Sequence, residues 1–220
     1  MLHKWIIGGA LVFTAGLASA QPAVQPTQPV APTVPKTGTT AVTPPTVAAV
    51  DAKVLGQVDE LLNAFETIPS EVEWKTLGPT AGVALRRVAV DKTTVVTRRK
   101  RAISALIYFP DDATKTLLKG IVTNAAESYR VRGQAAFSLA LTSGEAAIAD
   151  LTPLLSAEKH RLREATIKAF ARIDSDAVVA PLKARLTIEP KAYLKEAIQK
   201  VLSERLAKKA APAPAPAGDK

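Results

Sequence analysis

Any chemistry in this chain must come from a short list of side chains. The 220 residues contain no cysteine and only two histidines, His3 and His160. Thiol nucleophiles, disulfides, thiolate zinc sites and iron–sulfur clusters are thereby excluded. With His3 inside a segment read below as removed, one imidazole is left, too few for a multi-histidine metal centre. A Ser-His-Asp arrangement would have to run through His160. That residue stands between Lys159 and Arg161, and it reads as a surface histidine. Asp174-Ser175-Asp176 has the alternation of a calcium loop but lacks that loop's glycine and distant glutamate; it reads as a helix cap. No Gly-x-Ser-x-Gly, Gly-x-Gly-x-x-Gly or phosphate-loop motif occurs. The expectation is a protein that is not an enzyme, with no catalytic residue, cofactor or metal.

What the chain does have is positive charge: 29 Lys and Arg against 20 Asp and Glu, net +9. The densest element is Arg98-Arg99-Lys100-Arg101, with Arg130/Arg132, Arg161/Arg163 and Lys195 following at one-repeat intervals. Two readings stand side by side. Arg132, Arg163 and Lys195 can lock neighbouring repeats by pairing with Asp112, Glu145 and Asp176 or with backbone carbonyls. Alternatively the cations form a stripe for acidic partners, whether protein, anionic envelope polymer or lipid headgroup. The candidate partner-binding residues are Arg98, Arg99, Lys100, Arg101, Arg130 and Arg161, because four consecutive cations are not expected to all pair inward. Nucleic acid is not the expected partner: Tyr108, Tyr129 and Tyr193 form no stacking platform by spacing, and the expected location argues against it.

The elements that position these residues read as helices. Forty alanines, 11 glycines and 5 % aromatics suit helix and not a sandwich or barrel. Three segments align: Val131–Leu139, Leu162–Phe170 and Leu194–Leu202, at offsets of 31 and 32, with a weaker copy, Arg99–Ile107, placed 32 upstream. Second helices fall at about Asp111–Thr123, Gly144–Ser156 and Ser175–Thr187. Turns at Pro110-Asp111-Asp112, Ser143-Gly144-Glu145 and Asp174-Ser175-Asp176 supply side chains that accept from free amides in a first helical turn. Ala135, Ala136, Ala165 and Ala197 allow close helix approach; Leu139, Phe170 and Leu202 fill the layers between. Such a pair cannot bury both faces alone and must stack. Upstream, Asp51–Phe65 and Ala81–Val90 suit two helices of a degenerate cap. Trp74 between them reads as a plug or as an exposed anchor.

The ends differ from the middle. Met1–Lys4 is basic, Trp5–Leu17 is apolar and Ala18-Ser19-Ala20 follows. This is the pattern of a secretory signal peptide cleaved between Ala20 and Gln21, which leaves no membrane span and a periplasmic or secreted protein. Gln21–Thr46, with seven prolines, seven threonines and one charge, reads as an extended disordered spacer. The Ala/Pro-rich tail reads as disordered too. The expected organisation is 1–20 signal, 21–49 linker, 50–93 capping helices, 94–209 repeats and 210–220 tail.

The Val/Leu-Arg-x-x-Ala-Ala-x-x-Leu pattern at Val131–Leu139 and Leu162–Phe170 resembles the short HEAT-like repeats of the phycobilisome-lyase type, over about Thr94–Lys209. The resemblance implies an all-α fold, a short right-handed solenoid of stacked helix pairs. It also implies an interaction scaffold and, by analogy with relatives, a less favoured lyase-like or hydroxylase-like activity; the hydroxylases need paired His-Glu ligands that this chain lacks. The glycine usual after the first helix is missing, replaced by Ala140, Ala171 and Ser203, so those helices are expected to run longer.

Overall fold

The computed structural model describes residues 51–64 and 67–210. The signal segment with Ala20 and Gln21, the Pro/Thr spacer, Phe65 and the last ten residues lie outside the described residues. Ten α-helices follow in order: α1 Ala52–Asn63, α2 Glu71–Thr76, α3 Pro79–Val90, α4 Val96–Ala105, α5 Asp112–Thr123, α6 Tyr129–Ser143, α7 Ile148–Leu151, α8 His160–Phe170, α9 Val179–Ile188 and α10 Ala192–Ala210. No strand occurs among the described residues. The fold is an all-α solenoid.

Two layers build it. Helices α4, α6, α8 and α10 pack side by side in one layer; α3, α5, the Gly144–Ser156 segment and α9 form the other. The apolar residues of each helix turn inward, and Leu85, Ile103, Leu118, Leu151, Ile167, Phe170 and Leu182 are fully buried between the layers. Burial explains the stacking: each helix pair leaves an apolar face that only the next pair can cover.

The cap residues act as read. Asp111 accepts from the Thr114 amide and Ser175 from the Ala177 amide. Ser128 caps α6 through the Val131 amide. Ser143 makes no such bond; Gly144, at φ 54°, ends α6 instead, a conformation glycine adopts without strain. Helix α6 does run long, 15 residues, whereas α8 stops at Phe170, so the missing glycine has no uniform effect. Gly144–Ser156 is not one α-helix: 3₁₀ turns at Gly144–Ala147 and Thr152–Ser156 flank a single α-turn, and Pro153, which lacks an amide proton, falls in the second of them. Helix α10 continues through Lys208 and Lys209 to Ala210, one residue into the expected tail.

The weaker first copy needs a shifted register. The buried positions Val131, Ala135, Ala136, Ser138 and Leu139 of α6 match Leu162, Thr166, Ile167, Ala169 and Phe170 of α8 at offset 31. In α4 the buried set is Arg99, Ala102, Ile103 and Ala105, followed by Leu106, which matches α6 at 33 and not 32. Arg99 therefore takes the place of Arg132 and Arg163, and Arg98 the apolar place of Val131 and Leu162. That substitution explains why the Arg98 Nε is buried without a hydrogen-bond partner.

One helix was not foreseen. Ser70–Glu73 is a capping box: the Ser70 hydroxyl accepts from the Glu73 amide while Glu73 accepts from the Ser70 amide at 2.7 Å. The Ser-x-x-Glu spacing carries that signal in the sequence. Trp74 on this helix is 3 % exposed, a plug and not a free anchor.

Candidate functional site

The cationic run divides according to the helix face each residue occupies. Arg99 is 4 % exposed. Its Nε donates to the Ala89 carbonyl at 3.0 Å, and its two terminal nitrogens reach Glu127 at 3.1 and 2.6 Å. Arg101 donates to the carbonyls of Leu62 and Ala64, both at 2.8 Å, which satisfies orphan acceptors at the end of α1. Arg98 pairs with Asp59 of α1. Three of the four cations thus bind inward, contrary to the expectation of an exposed run. The reason is that a cation at each of these positions meets a free carbonyl or carboxylate on the preceding helices. Lys100 alone of the four makes neither a side-chain hydrogen bond nor an ion pair among the described residues.

The locking role holds for Arg132 and Arg163, through backbone carbonyls as expected and, for Arg163, through a carboxylate other than the three expected. Arg132 Nε donates to the Val122 carbonyl at 3.0 Å. Arg163 donates to the carbonyls of Ala157 and Glu158, and to Glu189 at 2.9 and 2.8 Å. Glu189 also accepts from Arg185 Nε at 2.8 Å and from the Lys191 amide at 3.0 Å. Burial pushes the Glu189 carboxyl up, and the bonds from Arg163, the Lys191 amide and Arg185 outweigh it, holding it down at about 2. Glu127 is likewise lowered, chiefly by its bond from Arg99. In the other layer, Arg86 clamps Asp111 at 2.8 Å and Thr114 at 3.0 Å. Asp112, Glu145 and Asp176 do not serve as the arginine partners. Lys195 is exposed. Asp174 pairs with Arg205 and Lys208, and Asp176 with Lys209 at 3.0 Å. These bonds lower Asp174, that from Lys208 most, and tie the turn to α10. His160 lies edge-on to Tyr193, ring centroids 6.4 Å apart.

Arg130 and Arg161 remain outside, and the fold brings them together. Counting from each, Arg130, Gln134 and Phe137 on α6 and Arg161, Ala165 and Lys168 on α8 recur at intervals of four and three, one helical face. The two triplets correspond at the 31-residue offset. They line a groove of about 260 Å³ that also takes in Lys100 and Tyr129. Four cations and no carboxylate are among its lining residues. Glu164, beside it, bonds Arg161 at 3.1 Å and Lys168 at 2.8 Å. Arg130 lies over the Tyr129 ring, 5.7 Å from its centroid, and donates to the Tyr129 hydroxyl. Arg172 lies 5.5 Å over Phe137. The floor is shallow because Gly133 approaches Ala165 closely: a Cβ on Gly133 would stand 2.9 Å from that of Ala165. Lys168, Gln134 and Phe137 were not singled out from the sequence, though their spacing from Arg130 and Arg161 carried the signal.

A second cavity of about 380 Å³ adjoins this groove and shares Lys100 and Gln134 with it. Its walls include Leu61, Ile68, Trp74, Ile107 and Tyr108. Ile68, on the rim, is 94 % exposed.

Stacked helix pairs with inward arginine locks and an outward side-chain stripe define a helical-repeat solenoid. Residues 114–203, from α5 into α10, match the family model for HEAT repeats, so this stretch of the chain is HEAT-like. No curated protein matches it. HEAT repeats commonly mediate protein–protein interaction. Among the described residues no three or more His, Asp or Glu side chains gather where they would hold a metal ion. No described helix is long and apolar enough to cross a membrane.

Proposed function

We propose that this protein is an exported, non-enzymatic HEAT-repeat scaffold that holds a protein partner in the cell envelope. One observation carries the binding part: the fold consumes Arg98, Arg99, Arg101, Arg132 and Arg163 internally, yet leaves Lys100, Arg130 and Arg161 on one continuous face with no structural lock to make. Export rests on the sequence of Met1–Ala20. A scaffold of this kind acts by area and charge, not by a reactive group. The rival reading, a module for anionic envelope polymers or lipids acting through Arg98–Arg101, loses three of its four cations to internal bonds.

The test has two parts. Fractionation followed by N-terminal sequencing gives an envelope protein starting at Gln21; retention of Met1 in a cytoplasmic fraction refutes export. In-cell crosslinking followed by capture of the mature protein gives a discrete protein adduct; its absence, with the protein folded and abundant, refutes the scaffold.

A further inference from the structure

The two adjoining cavities differ in chemistry, and their junction identifies what fits across them. We infer that the face formed by α4, α6 and α8 binds an extended acidic segment of a partner protein, whose carboxylates lie over α6 and α8 and whose apolar side chain enters the Trp74–Tyr108 cavity. The inference rests on the scaffold reading above and adds the site and the chemistry of its occupant.

Charge is the first argument. Lys100, Arg130, Arg161 and Lys168 line the groove with no carboxylate among them, and only Glu164 offsets two of the four. Arg130 is held by a ring and a hydroxyl instead of a carboxylate. It is therefore positioned without being neutralised, which is the state that favours binding an external anion. Placement is the second argument. Arg130 and Arg161 are the second residues of α6 and α8. There the helix dipole is positive, so a cation is unfavourable. Within the fold Arg161 has Glu164 to offset it, whereas Arg130 has only the Tyr129 ring and hydroxyl; a bound carboxylate supplies the counter-charge Arg130 lacks.

The apolar cavity selects among anions. Sugar and phosphate polymers present nothing to fill a space walled by Leu61, Trp74, Ile107 and Tyr108, while a peptide supplies a carboxylate and an apolar side chain a few residues apart. Ile68 stands 94 % exposed on the rim of that cavity, an apolar side chain well placed to cover an apolar occupant. Two interhelix spacings separate α4 from α8. At about 8–10 Å each that is roughly 20 Å, or about six extended residues at ~3.3 Å per residue. Gly133 and Ala165 keep the floor between α6 and α8 low enough for a backbone to lie across it.

The experiment uses the mature chain and fluorescein-labelled octapeptides. One carries a leucine followed by four Asp and Glu residues, a second has serine for the leucine, and a third has lysines for the acids; vesicles of phosphatidylglycerol form a fourth arm. The inference expects the leucine-containing acidic peptide to bind best, and its affinity to fall steeply with salt. The serine peptide should bind several-fold more weakly and the lysine peptide not at all. Lys100→Ala/Arg130→Ala should weaken the acidic peptide about tenfold with an unchanged melting curve. Lys119→Ala/Lys183→Ala, which removes two charges from the other layer, should leave binding unchanged. Equal binding of acidic and lysine peptides, indifference to Lys100→Ala/Arg130→Ala, or binding to vesicles alone overturns the inference. If an envelope adduct forms equally with wild type and with Lys100→Ala/Arg130→Ala, the groove fails and the scaffold stands. If the peptide binds as expected but Met1 is retained in the cytoplasm, the export reading fails and the groove stands.

Discussion

Glu189→Gln should destabilise the protein more than any other one-atom change among its charged locks. The Glu189 side chain is fully buried between Arg163 and Arg185, and glutamine keeps the shape while removing the charge. Two effects then act together: one oxygen that accepts hydrogen bonds becomes an NH₂ facing donors, and two buried guanidinium groups lose their counter-charge. The interval between the ordinary carboxyl value of 4.5 and about 2 corresponds to about 3 kcal/mol at neutral pH. Breaking a buried pair from one side costs typically about 3–5 kcal/mol, so the two routes agree in size. For a domain of about 160 residues each kcal/mol moves Tm by roughly 2–4 °C, giving a loss of about 6–12 °C. The sign with pH follows from a depressed carboxyl. The contribution is complete above the unfolded value near 4.5, declines as pH falls below it, and is gone below about 2. Thermal melts followed by circular dichroism at 222 nm, from pH 7 downward, should show the gap between wild type and Glu189→Gln narrowing below pH 4.5. A gap under about 2 °C at pH 7, or one that widens on acidification, refutes the reasoning. Replacing both partners, Arg163→Met with Glu189→Leu, should cost less than the two single changes added together.

Gly133→Ala should lower Tm, by up to about 8 °C, since overpacking costs about 1–3 kcal/mol against about 1 kcal/mol gained in helix propensity. Adding Ala165→Gly should restore part of it, because Ala165 supplies the clashing Cβ. Arg99→Ala should not behave as a surface change: with Glu127 left unpaired beside a vacated buried site, a loss of about 2–4 kcal/mol in urea unfolding is expected, and a loss under about 0.5 kcal/mol would contradict the pairing. Asp91, bonded by the Thr93 hydroxyl and amide and the Thr94 hydroxyl, is lowered to about 2, the Thr93 hydroxyl contributing most. Carboxyl NMR titration should find its midpoint there, and Thr93→Ala should move it back toward 3.8.

How much of this was legible differs from one residue to the next. The 31-residue repeat, the inward small residues Ala135 and Ala136 and the caps Asp111 and Ser175 all follow from local rules, because helix periodicity and capping act within a few residues. So does the absence of thiol chemistry, which needs only an inventory. The fate of each cation does not follow. Arg99 and Lys100 are neighbours in a run of four like charges, yet one is buried against Glu127, 28 residues away, and the other lines an open groove. A rotation of about 100° per residue separates them, and a register of 33 in place of 32 decides which one turns inward. Likewise Glu189 becomes a buried counter-ion only because α8 and α9 bring Arg163 and Arg185 to it from 26 and 4 residues away. Sequence alone determines the period, the helices and the cations available. Only the stacking, by bringing distant carbonyls and carboxylates within hydrogen-bond reach, decides which cations hold the fold together and which are left to meet a partner.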